Sequence, residues 1–371
     1  MTRRFPFLAS CCLLAWLALF SCASPAEAAP IDYDIVYVRA PRFGDNTNSR
    51  LPEVATPLVP DPGASLMLLH PNGSEEILFN AGADGAVVDP TVSFDGTAVV
   101  FAFYHNARVV NSQREVSYAG ADIYRIHLGT RQVTRLTFQE FTPNTGNGAN
   151  FNCQVPFTNC PNVGVFNTGP AFLPDGRIVF TSTRNNFLPN KAFSFGQRTM
   201  QLYVMDGDGR NVEQLGYLNV SAALHPFVLR DGRIAFTSWE NMGLRDDRAF
   251  ALWTIWPNGS RFEPFSGFGD SHFAHHFMTQ ISNGNVVVCR YYNLNNNGFG
   301  ELYGFPINGS GAPGAPLFQP IPPDNQSGEI PMQRVGYSRL TPFTTGEDFP
   351  APCTVGAPEY PPVPCPGGNN T

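Results

Sequence analysis

The chain has 371 residues, of which 14% are charged and 13% aromatic, with 35 Gly, 34 Pro and a formal net charge of −7. That much Gly and Pro excludes a helical bundle and fits many short strands joined by tight turns. The negative charge excludes a nucleic-acid partner held by a basic face.

Residues 1–28 stand apart from the fold. Arg3 and Arg4 precede an apolar run from Phe5 to Phe20, and Ala26-Glu27-Ala28 offers a small-x-small cleavage site, so the segment reads as a secretory signal and the protein as periplasmic or extracellular. The run is short of a membrane span. Leu19-Phe20-Ser21-Cys22 leaves one alternative open: a lipoprotein signal that makes Cys22 the lipid-bearing first residue, the only route by which the chain meets a membrane. Cleavage after Ala28 removes two Arg and one Glu, a net +1, and moves the charge from −7 to −8. It leaves Cys153, Cys160, Cys289, Cys353 and Cys365. In an oxidising compartment Cys153 with Cys160, and Cys353 with Cys365, can each close a small loop, while Cys289 reads as an apolar filler in a strand.

From residue 31 the pattern is of strands and tight turns. Ile35–Val38 is a first strand, and a Pro-rich link from Pro41 to Pro62 leads to strands at Ser65–Leu69 and Glu76–Phe79 around Asn72-Gly73. These make three strands of a first blade, with no upstream segment to supply its innermost strand. A second unit runs Val88–Phe94, Asp95-Gly96, Thr97–Tyr104, Ala121–Ile126, a turn at Leu128-Gly129-Thr130, and Gln132–Phe138. The third holds Gly169–Phe180 around Asp175-Gly176, then Gln201–Gly209. The fourth is the clearest: two apolar runs between His225 and Glu240 meet at Asp231-Gly232, and Leu252–Trp256 turns at Asn258-Gly259 into a strand ending near Phe265. The fifth is Phe277–Ile281, Asn283-Gly284, Asn285–Tyr292 and Glu301–Phe305.

Gly73, Gly129, Gly209, Gly259 and Gly309 mark one turn series at intervals of 56, 80, 50 and 50 residues. The long interval contains an insertion, Thr142–Asn167, of the kind that emerges on a face where ligands bind. The reading is all-β: a β-propeller of five to six four-stranded antiparallel blades over residues 31–342, with an irregular tail at 343–371. Arg334–Tyr337 is placed to supply the missing inner strand of blade one and close the ring.

Asp89-Pro90-x5-Gly96, Leu173–Phe180 and Gln201–Asp206 resemble the repeats of TolB-type and WD-repeat-like propellers. Phe180–Arg184, His275–Gln280 and Arg290–Gly300 resemble, more narrowly, the propeller-bearing part of the hydrazine synthase alpha subunit and its homologues. That resemblance covers most of residues 31–345 and implies a propeller fold. Haem chemistry does not come with it, because no C-x-x-C-H occurs to anchor the group, and no haem is expected in this chain. The chain then corresponds to the propeller portion alone, a short paralogue or part of a longer protein.

The densest polar cluster is Asp270, His272, His275, His276 and Gln280. On one convergent face such groups bind Zn²⁺ or Mn²⁺, and otherwise they are structural or surface histidines. In an extended segment His272 and His276 share a face and His275 points away. The cluster is partly similar to the His and Gln metal site of oligogalacturonate lyases, but order and spacing differ, so no catalytic role carries over. Asn293–Asn297 and Asp206–Gly209 read as turns rather than calcium loops, and Asp246-Asp247 as a solvated loop. Two functional classes follow: an exported scaffold that binds a protein or small ligand on a propeller face, with no cofactor, or a metal-dependent, lyase-like enzyme at the channel mouth.

Overall fold

The computed structural model describes residues 31–41, 60–107, 119–139, 165–185, 199–216, 222–239, 250–266, 274–291, 301–306, 318–320, 332–334 and 338–339. Residues 1–28, the cysteines at 153, 160, 353 and 365, and the tail lie outside them.

Among the described residues every regular element is a strand, and the strands form the five blades of a β-propeller. Blade one has β1 (Ile35–Arg39), β2 (Ser65–Leu69) and β3 (Glu75–Phe79). Blade two is β4 (Ala86–Val92), β5 (Ala98–Tyr104), β6 (Ala121–His127) and β7 (Val133–Arg135), paired antiparallel in chain order. Blade three repeats the order with β8 (Asn167–Phe172), β9 (Ile178–Ser182), β10 (Gln201–Met205) and β11 (Glu213–Gln214). Blade four follows with β12 (Ala222–Val228), β13 (Ile234–Trp239), β14 (Phe250–Ile255) and β15 (Glu263–Ser266). Blade five comprises β16 (Ala274–Gln280), β17 (Val286–Tyr291) and β18 (Glu301–Phe305).

The turn chemistry explains the hairpins. At β4–β5 the Gly96 N–H donates to the Ser93 carbonyl, and Asp95 accepts from the Ser93 hydroxyl and from the Thr97 N–H and hydroxyl. The Ser93 hydroxyl and the Thr97 groups hold the Asp95 carboxyl down at about 2. Gly96 sits at φ 70°, the left-handed region that Gly enters without strain.

Successive blades pack through continuous apolar layers. Leu66, Leu68, Val99, Phe101 and Ile126 fill the layer between blades one and two; Val100, Tyr104, Phe166, Phe180 and Tyr203 fill the next. Leu202, Val204, Ile234 and Phe236 join blades three and four, and Leu252, Phe265, Val286, Val288 and Phe305 join four and five. Val100 and Phe101 belong to different layers, so β5 is covered on both faces, which is why it reads as an unbroken apolar run. Single parallel bridges at or beside the start of the third strand join blades two, three and four to the next blade, at Ala121 and Phe166, Met200 and Ala222, and Phe250 and Ala274.

Beyond shifts of a few residues at strand ends, the structure differs from the sequence reading in these details. β16 begins at Ala274, three residues before Phe277, because the strand carries a bulge that interrupts the apolar alternation used to place its start. Asn167 is the buried first residue of β8 rather than the end of the insertion. Arg334 pairs with Phe318 in a small hairpin of β19 (Phe318–Pro320) and β20 (Met332–Arg334), and β21 (Ser338–Arg339) pairs with β18 as the fourth strand of blade five. Residues 335–337 lie outside the described residues.

Candidate functional site

Among the described residues, the inner strands of blades two to five share one irregularity. The register shifts between Val88 and Thr91 in β4, Thr168 and Ala171 in β8, Leu224 and Phe227 in β12, and His276 and Thr279 in β16. At each bulge one residue takes a positive φ: Asp89 at 52°, Gly169 at 58°, His225 at 48° and Phe277 at 52°. In three of the four the next residue is Pro90, Pro170 or Pro226, which has no N–H to offer the ladder. Asp and His tolerate this conformation better than most residues, whereas a bulky Phe in it is an outlier, the kind of strain that surrounding structure must hold and that gathers at binding sites.

The bulges turn these side chains toward one another. His225 Nδ1 lies 3.4 Å from Asp89 Oδ1, although the residues belong to blades two and four. Between them stands Gly169 of blade three, where a Cβ would come within 2.9 Å of Pro226 Cδ. The Asp89 carboxylate also accepts from the Thr168 hydroxyl at 3.3 Å, and the Thr168 hydroxyl in turn accepts from Tyr104 at 3.4 Å. Burial pushes the Tyr104 phenol well above its ordinary value. On its other side the His225 ring packs on Phe277 of blade five, with centroids 4.3 Å apart. A cavity of about 560 Å³ opens beside this row, walled by Val38, Val87, Pro90, Pro226, Phe227 and Phe277, with Asp61, Asp89, Thr91, His225 and Thr279 as its polar lining. Its size and its mostly apolar wall with a few convergent polar groups are those of a small-molecule site.

A second polar cluster lies between blades two and three. The buried Asp122 carboxylate accepts from Arg135 Nη2 and the Thr137 hydroxyl, both at 2.6 Å, from the Gln139 N–H at 3.0 Å and from Asn167 Nδ2 at 3.2 Å, and pairs with His105 Nε2 at 2.8 Å. Burial pushes its pKa up, but the His105, Thr137 and Arg135 hydrogen bonds prevail and hold it below the usual carboxylate range. Asn167 Oδ1 accepts from Ser182 and from Arg184, whose guanidinium lies over the Tyr203 ring at 4.7 Å and which burial pulls down to about 10. Each oxygen of Asp122 is met by donors from the fold, so this cluster ties blades together rather than presenting a free group to a ligand.

The predicted cluster at β16 is divided. Asp270 and His272 lie outside the described residues. His275 and His276 are in β16, opposite Arg290 and Cys289. His275 is 2% exposed, its carbonyl accepts from the Thr237 hydroxyl at 2.9 Å, and its ring packs on Phe305. The Gln280 amide serves a turn contact: its Oε1 accepts from the Arg230 N–H and its Nε2 donates to the Gly284 carbonyl, both at 2.8 Å. Asp206–Gly209 is the hairpin turn it reads as, with Gly209 N–H donating to the Asp206 carbonyl. Asn293–Asn297 and Asp246-Asp247 are outside the described residues.

The bulge row was not singled out from the sequence, yet a signal for it exists. Asp89, Gly169, His225 and Phe277 each stand seven residues before a turn glycine, at Gly96, Gly176, Gly232 and Gly284. A constant offset from a repeated turn places residues at one height on successive inner strands.

No protein-family model matches the sequence, and no curated protein matches it. Among solved structures, hydrazine synthase of Kuenenia stuttgartiensis superposes with a TM-score of 0.50 at 14% identity, over 75% of this chain and 38% of that one. The likeness is one of fold. The chain thus spans little more than a third of the hydrazine synthase chain it matches. An oligogalacturonate lyase in complex with manganese (TM-score 0.42, 14% identity, 67% and 58% covered) and TolB from Acinetobacter baumannii (0.37, 16%, 65% and 50%) overlap less well.

Proposed function

We propose that this chain is an exported β-propeller binding protein that takes a small ligand in the cavity beside the inner-strand bulges. The observation that carries the reading is the convergence of Asp89, His225 and Phe277, from three different blades, on one largely apolar cavity of about 560 Å³. Export rests on residues 1–28, with their basic start, apolar run and small-residue cleavage site. Binding is favoured over a lyase-like metal reaction because the Gln280 amide is engaged by Arg230 and Gly284 and the His275 ring is packed inside blade five. Both ring nitrogens of His225 are also buried, which suits a group that holds Asp89 in place better than one that takes a proton from substrate.

A thermal-shift screen of small molecules on the mature protein tests this, with Ala40→Trp as the comparison. Ala40 lines the cavity and is exposed, so the larger side chain blocks the mouth without disturbing the core. Compounds that stabilise the wild type should lose their effect in the variant. Stabilisation undiminished in Ala40→Trp, or no stabilising compound at all, contradicts the proposal.

A further inference from the structure

Among the described residues that line the cavity, the permanently charged ones are both acidic. Asp89 and Asp61 both face it, and no Lys or Arg occurs among the described residues that line it. Asp89 is mostly buried, and among the described residues its partners are the Thr168 hydroxyl and His225 rather than a guanidinium or ammonium group. A carboxylate held in an apolar wall without a permanent cation beside it retains a strong attraction for one, since the low dielectric around it weakens screening. Phe277 and Phe227 add aromatic rings to the same wall, and a ring face attracts a cation as well as an apolar body.

From this we infer that the cavity selects a small organic cation: an ammonium or guanidinium group seated on Asp89, carried by an apolar body lying against Phe277 and Phe227. The inference rests on the binding reading above and adds the ligand's charge and shape. His225 is the positioning residue, because its contact with Asp89 and its packing on Phe277 fix the carboxylate relative to the aromatic wall. Gly169 is what lets that contact form across blade three.

Three probes of one shape separate the possibilities: 4-phenylbutylammonium, 4-phenylbutan-1-ol and 4-phenylbutanoate, titrated calorimetrically into the mature protein at pH 7. The ammonium should bind at least about tenfold tighter than the alcohol, with the carboxylate weakest, since a hydrogen bond to a charged group is worth that much. Asp89→Asn, which keeps a residue tolerant of positive φ, should bring the ammonium down to the level of the alcohol. Alcohol or carboxylate binding as tightly as the ammonium overturns the cation inference while the binding reading stands. Failure of all three to bind the wild type counts against both. The order of affinities in the wild type decides the matter even if Asp89→Asn does not fold.

Discussion

His225 and Asp89 meet at 3.4 Å across a blade that belongs to neither, and they do so because Gly169 has no side chain. Gly169→Ala therefore carries two penalties: a methyl group at φ 58°, and a contact of 2.9 Å with Pro226 in a ring that cannot move aside. The expected loss is about 2–3 kcal/mol of stability in urea unfolding. Gly96→Ala supplies the control, since its φ of 70° is also strained but nothing lies within 4 Å of the added carbon. It should cost only about 1–2 kcal/mol. Equal losses would mean that the Pro226 contact is relaxed away.

The Asp89 and His225 side chains should be energetically coupled. A double-mutant cycle with Asp89→Asn and His225→Gln, read by unfolding, is expected to give an interaction of about 0.5–3 kcal/mol. Strict additivity would show that the 3.4 Å approach contributes nothing.

Asp122 should contribute to the acid limb of stability. Its folded-state pKa is depressed, so the carboxylate contributes stability that is fully present above its unfolded value, near 4, and is lost as pH falls through the folded value. Stability should thus be flat with respect to this group near neutrality and fall below about pH 4. Asp122→Asn, which leaves Arg135 without its buried counter-charge, should cost about 3–5 kcal/mol at pH 7 and flatten the acid limb. An acid limb as steep in the variant as in the wild type would place the proton uptake elsewhere.

Cys289 should be inert in the folded protein. Burial pushes its thiol up to about 11, which leaves little thiolate at pH 8. Peptide mapping after a brief iodoacetamide pulse should find Cys289 unmodified in native buffer and modified in denaturant. Rapid native labelling would show that β17 opens locally.

The strands were legible where turn chemistry and apolar runs coincide. Asp231-Gly232 gives the β12–β13 hairpin, and Ser65–Leu69 and Glu301–Phe305 fall on β2 and β18 to the residue. Legibility ends where a strand departs from strict alternation. The bulge at His276 to Thr279 hid the start of β16, and the two- and three-residue strands β19–β21 are too short to show a period. The site was harder still. His225 and Asp89 are separated by most of two blades in sequence, and only the ring arrangement brings them together. The histidines that cluster in sequence, by contrast, gain their conspicuousness from adjacency, and the ring of His275 is taken up by packing on Phe305.

On the reading proposed above, the inner-strand bulges build a ligand site. A crystallographic screen of small organic probes tests it most directly. Bound probes should concentrate in the cavity between Asp89, His225 and Phe277, with cationic ones in hydrogen-bond contact with Asp89. Probes scattered over the outer edges of the blades, with that cavity filled by side chains or by nothing at all, would contradict it.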